Sequence, residues 1–344
     1  MKNSLQEILD RHVNFWRCEG TAPLINVIPV KHWVKKPYPV REKEFIRDAA
    51  ELHNEDFSIP RMVTPRETPG LPIAGELIQP IGCVFPEAWM EGMIGCPIYA
   101  TENSCSAKPV SEDLQEILDL GILPDDGNPW YRTARNLLEY CTREFPGLPV
   151  RQIHMRGIID MLAASLGEAN LCMEMMDGAP ELEQLGALYR DYFIRTANSL
   201  FAYRKEWMGG YVSTWKIYAP GRLLDYQIDA SNLFSVEQYA RNFLDYDRAI
   251  LDSFPYTITH VHNCSIRHVD SLLKIDSLGA IEINLDRESG ELDFDRLYWY
   301  THRIQEHGKG VVLVGRLSEQ EQEELLAKVP VKGLAIDCWR DEEI

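Results

Sequence analysis

The sequence predicts an α/β fold, a (β/α)8 TIM barrel with an N-terminal helical extension. Three observations predict it. From residue 148 onward, short apolar runs alternate with amphipathic helical stretches. The connections are short, so successive strands lie parallel and are joined by crossover helices. Counted with strand-like runs nearer the N-terminus, the strands number about eight, and closure into a barrel is the economical arrangement. An open doubly wound sheet is the alternative, but no G-x-G-x-x-G sits on a strand-to-helix turn to support dinucleotide binding.

Leu5, Ile8, Leu9, Val13 and Trp16 share one face of a helix running from Asn3 to Trp16. LINVIPV at 24–30 reads as a strand, followed by a charged helical piece near 41–54 and a Pro-rich loop. An apolar stretch follows at 78–89, 97–110 reads as irregular, and 112–120 and 128–145 read as helices. Strands are then expected at 148–157, 210–215, 258–264, 280–286, 310–316 and 333–339. Helices are expected after 157 and at 181–207, 235–254, 266–279, 292–308 and 318–329. The whole of 1–344 is read as one barrel domain, with 1–70 as its extension.

The chain carries 35 Lys and Arg against 53 Asp and Glu, a net charge of −18. Such an acidic surface argues against nucleic acid and anionic membranes as partners. Residues 1–16 lack the apolar core of a signal peptide, and no apolar run is long enough to cross a bilayer, so a cytoplasmic location is expected. The 8 cysteines are scattered without a disulfide pattern.

Chemistry-bearing residues gather at the C-terminal ends of predicted strands, where barrels place their active sites. His262 and Cys264 are two apart and, in an extended strand, point the same way. Cys338 stands near the end of the last strand. One His and two thiolates make a neutral zinc site with one open position. The bland reading makes Cys264 and Cys338 buried core thiols and His262 a hydrogen-bonded core histidine. His260 shares the strand face of His262 and is the alternative ligand or its hydrogen-bond partner. Asp229 is read as a catalytic group or a loop cap, and Glu102 as a base, a fourth ligand or neither. Trp215, Tyr218, Glu282, Asn284 and Arg316 are the candidate substrate-binding residues. Packing, interior polar layers and a surface salt bridge are their plainer readings.

Over about 140–339 the chain resembles the uroporphyrinogen decarboxylase superfamily, which includes cobalamin-linked methyltransferases. HMRGIIDMLAASLG resembles the segment after the family's third strand. YQIDASNLFSVEQYARNF resembles its D-x-S … S-P-E-x-[FY] segment, with Asp229, Ser231, Ser235 and Glu237 in place and Val236 for the usual Pro. HNCSIRHVDSLLKIDSLGAIEINLD resembles its fifth-to-sixth-strand unit. The arginine-rich N-terminal segment of the true decarboxylase has no counterpart. The resemblance to the methyltransferase branch implies zinc on His262, Cys264 and Cys338. It also implies methyl transfer between a small-molecule donor or acceptor and a corrinoid (cobalamin) carried on a separate protein, by a monomer or homodimer. A metal-free carboxy-lyase and a non-catalytic ligand-binding barrel are the alternatives.

Overall fold

A computed structural model describes residues 4–29, 50–52, 57–64, 73–83, 85–100, 105–121, 125–287 and 292–340. Its main sheet has six strands: β1 (Leu24–Pro29), β2 (Leu223–Gln227), β3 (Tyr256–His262), β4 (Ala280–Leu285), β5 (Gly310–Arg316) and β6 (Leu334–Arg340). Their order is β1-β6-β5-β4-β3-β2, and every neighbouring pair is parallel. Helices α1 (Leu5–Trp16), α2 (Pro129–Glu144), α3 (Ile158–Leu166), α4 (Pro180–Leu200), α5 (Phe294–Glu306) and α6 (Glu319–Lys328) match the amphipathic stretches.

Strand alternation divides the sheet into two faces. One face buries Tyr226, Val261, Ile283, Leu313, Ile336 and Cys338 in the main core. The other sets an apolar row of Leu24, Leu223, Ile258, Ala280, Val312 and Ala335. Above that row this face turns polar, with Asn26, Asp225, Gln227, His260, Glu282 and Asp337 all buried. Buried charges of this kind persist only when paired or held for function.

β1 belongs to the 1–70 stretch read as an extension, yet it is an integral strand that pairs with β6 from Leu24↔Ala335 to Pro29↔Arg340. α1 is tied in as well. The Ser4/Glu7 capping box starts it, a device worth about 1 kcal/mol. Phe15 at its end sits against Gly310, where a Cβ would meet the phenyl ring at 2.5 Å.

The sequence also misplaces two strands. Residues 210–215 do not enter the sheet; Tyr211–Val212 pairs antiparallel with Tyr218–Ala219 in a hairpin. The sheet strand is the following LLDYQ segment, β2, buried throughout. Within the expected strand 148–157, Val150 makes one isolated parallel bridge to Ile81, and residues 151–157 carry no strand pairing. There a side chain replaces the backbone: the Gln152 amide donates to Asp225 O at 2.8 Å and accepts from Asp225 N at 3.2 Å. Gly157 N then donates to Gln227 O at 3.0 Å. A Cβ at Gly157 would lie 2.4 Å from that oxygen, so only glycine permits the approach. At the other edge of the sheet, Glu76 N donates to Ile25 O at 2.9 Å. These two flanking segments meet through Ile81 N to Pro149 O, 2.7 Å, and Arg151 N to Ile81 O, 3.3 Å.

His12 locks α1 to both neighbours. It is fully buried, contacts Glu76 O through Nε2 at 3.0 Å and accepts from Tyr218 N through Nδ1 at 3.0 Å. Burial lowers its pKa to about 4. The unfolded chain, with an ordinary histidine near 6.5, then binds the extra proton between these values. Stability is therefore full above about pH 6.5 and is lost as pH falls toward about 4, by about 3 kcal/mol in all. Urea denaturation at pH 7.5 and 5.0 should show this loss in the wild type and a smaller one in His12→Gln.

Candidate functional site

β3 ends at His262, and the chain turns at once. Ser265 N donates to His262 O at 3.0 Å, and His262 N donates to Ser265 Oγ at 3.0 Å. Within the strand His260 and His262 share the inner face, and the next strand brings Glu282 beside His260 and Asn284 beside His262. Past the end of β2, a 3-10 turn over Asp229–Leu233 carries Asp229 to the same place.

Here three ligand atoms converge. His260 Nε2 and His262 Nε2 are 3.0 Å apart. Asp229 Oδ1 lies 3.9 Å from the first and 3.6 Å from the second. A tetrahedral zinc separates its nitrogen and oxygen ligands by roughly 3.4 Å, so these spacings suit one ion.

The outer nitrogens are already committed. His260 Nδ1 bonds Glu282, which is fully buried, and His262 Nδ1 bonds Asp286. Each carboxylate accepts an Nδ1–H, which leaves each Nε2 with its lone pair turned toward the other. Such carboxylate–histidine pairs are the usual support of metal-binding imidazoles. Two bare lone pairs cannot face each other at this distance, so a proton or a cation must lie between them. Burial lowers the His260 pKa, but Glu282 outweighs it and carries it up to about 9. The His262 bond holds Asp286 below the usual carboxylate range. Asp229 adds a third ligand atom beside this pair. Its Oδ2 is bonded by Gln227, whereas its Oδ1 is buried with no hydrogen-bond partner and faces both nitrogens. An oxygen so placed can act as counter-ion to a protonated imidazole pair or as a third ligand to a metal ion.

A cavity of about 560 Å³ opens on Asp229, within the size range of small-molecule sites. Cys105, Arg156, Asp160, Ala163 and Asn232 line it. Arg156 pairs with the fully buried Glu91 at 3.0 Å and with Asp160 at 3.4 Å. Asp160 in turn accepts from Ala230 N at 2.7 Å, which fixes the backbone beside Asp229. Arg156, Asp160, Glu91 and Asp286 escaped the sequence reading. Asp286 alone left a signal, two residues past Asn284 and one past the end of β4.

The structure corrects the expected ligand set. Cys264 lies beyond the end of β3, where the alternation that would aim it beside His262 no longer applies. It is exposed, with Asn232 Nδ2 at 3.8 Å from its sulfur. Cys338 is on the wrong face of β6, buried in the main core with its thiol toward Gln322 of α6 at 3.7 Å. Its neighbour Asp337 takes the inner face and pairs with Lys216 at 2.7 Å. Among the described residues, the metal-capable group containing His262 is completed by His260 and Asp229.

Of the other candidates, Trp215 is buried and stacked flat on His260, ring centroids 5.8 Å apart. Tyr218 packs against Ile8 and Leu9 of α1, and its hydroxyl donates to Met208 O at 2.9 Å. It is a packing residue. Arg316 is exposed at the end of β5, where its carbonyl accepts from Arg287. Glu102 lies outside the described residues.

No protein-family model and no curated protein matches the chain. Among solved structures the fold is similar to that of a methyltransferase from Methanosarcina mazei. The two are 13% identical, with 96% of this chain and 92% of that chain covered, at a TM-score of 0.61. At that identity the likeness is one of fold.

The ligand set can be read directly by zinc titration against a chromophoric chelator. His260→Ala, His262→Ala and Asp229→Asn should abolish tight binding. Glu282→Gln should weaken it by about ten- to hundredfold. Cys264→Ser and Cys338→Ser should leave it unchanged.

Proposed function

We propose that this chain is a zinc-dependent methyltransferase that moves a methyl group between a small thiol or other heteroatom substrate and a corrinoid carried on a separate protein. The observation that carries the reading is the convergence of His260 Nε2, His262 Nε2 and the unpartnered Asp229 Oδ1 at the ends of adjacent parallel strands. The similarity to a methyltransferase fold and the sequence resemblance support it. We read the six-stranded sheet as most of a (β/α)8 barrel, closed by residues 76–83 and 148–157 through the hydrogen bonds at Ile25, Ile81, Pro149 and Gln227.

His260, His262 and Asp229 would hold the ion. Zinc when bound supplies a Lewis acid that lowers the pKa of a thiol or water ligand and keeps it anionic at neutral pH. Glu282 and Asp286 hold the imidazoles as neutral Nε2 donors by keeping their protons on Nδ1. Trp215 covers one face of His260 and keeps water from that side. The cavity beside Asp229 receives the substrate, with Asp160 and Arg156 as its fixed polar wall.

Protein purified without chelator should contain about one zinc per chain. It should transfer methyl groups between methylcobalamin and a thiol, and Asp229→Asn should lose both properties together. Stoichiometric absence of zinc, or decarboxylation of uroporphyrinogen by metal-free protein, would reject the reading, the second in favour of a carboxy-lyase.

A further inference from the structure

We propose that Trp215 is a positioning residue for His260, and that the hairpin tip Ser213–Lys216 is built to press its indole against that imidazole. The proposal rests on the metal reading above.

The hydrogen bond to Glu282 fixes the Nδ1 edge of the His260 ring but leaves its plane free to tilt about that bond. The tilt decides whether Nε2 meets His262 and Asp229. Trp215 removes this freedom, because its ring lies 5.8 Å from the imidazole and within 7° of parallel. Among the described residues, the ring contact of His262 is with His260 and is edge-on, at 84°.

The tip is held more firmly than core filling requires. Thr214 N donates to the buried Asp225 of β2 at 2.6 Å. Lys216 reaches across to Asp337 of β6, at 2.7 and 3.0 Å from its two carboxylate oxygens. Asn26 of β1 donates to the same carboxylate at 2.6 Å. Ile78 N closes on Lys216 O at 3.0 Å. Lys216 itself has φ 65°, a left-handed conformation that a lysine adopts only under constraint from its surroundings. β2 and β6 thus hold the turn, with Asn26 of β1 bracing Asp337, and the indole of Trp215 at its tip lies on a candidate ligand.

The test uses Co²⁺ alone as probe, read by chelator competition and by visible absorption of the bound ion. Trp215→Leu should bind Co²⁺ about ten- to hundredfold more weakly, with an altered spectrum. Trp215→Phe keeps a flat ring and should restore wild-type absorption and affinity to within about threefold. Should Trp215→Leu fail to fold, Lys216→Met frees the tip without touching the indole and should weaken binding in the same direction. A folded Trp215→Leu or Lys216→Met variant with wild-type affinity and spectrum overturns the positioning role alone. A wild-type protein that takes up no Co²⁺ overturns the metal reading and this proposal with it.

Discussion

Two carboxylate–imidazole bonds determine the character of the site. Glu282 and Asp286 each claim an Nδ1, and that choice turns both Nε2 atoms inward. Without them either ring could flip, and the two histidines would be an ordinary buried pair. A fully buried glutamate costs several kcal/mol in desolvation. That cost is offset only partly by its histidine, since Glu282 Oε1 has no hydrogen-bond partner. A cation close to the imidazoles would complete the compensation. On the proposed metal reading, the inner face of the sheet would be organised around that charge.

The sheet makes that organisation possible by layering. Its innermost row is aliphatic and gives the face a dry floor. On every strand but β5 a polar residue stands two positions further along, toward the C-terminal end. Parallel strands bring those ends together on one side, so His262, Asn284 and Val314 fall in one row. Asp229 and Asp286 reach the same level from just past their strands. The hairpin over Tyr211–Ala219 fills the space below, against Leu24, Ile258 and Val312.

Much of the fold could be read from sequence, and the reasons for the exceptions are local. β3, β4, β5 and β6 are apolar, β-branched runs, three of them begin at or beside a glycine, and the sequence pattern places each to within two residues. LLDYQ carries two polar residues in five, which breaks the apolar run that marks a buried strand; their partners lie outside it, Thr214 N on the Asp225 carboxylate and Asp229 on the Gln227 amide. The site was half legible. H-x-H and H-x-C overlap at His262, and both fit a period of two. What separates them is where the strand stops, a decision made by the Ser265 hydroxyl three residues on. For Cys338, a shift of one residue in the inward set reverses its face, and Asp337 claims the inner one through Lys216 and Asn26.

The change of ligand set alters the chemistry expected of the ion. Two thiolates and an imidazole would leave a zinc centre with no net charge and with soft, strongly donating ligands. Two imidazoles and one carboxylate leave a net positive charge and a harder centre, which withdraws more electron density from whatever fills the open position. Such a centre is better at lowering the pKa of a bound thiol or water. It leaves the resulting anion less nucleophilic than a thiolate-rich zinc would, because less charge is returned to it. The nearby carboxylates counter this: Glu282 and Asp286 feed charge into the imidazoles through their Nδ1 protons. In the proposed zinc site, the carboxylates behind the histidines would therefore do electrostatically what the cysteines would have done by direct ligation, and Glu282 would bear on reactivity as well as on geometry.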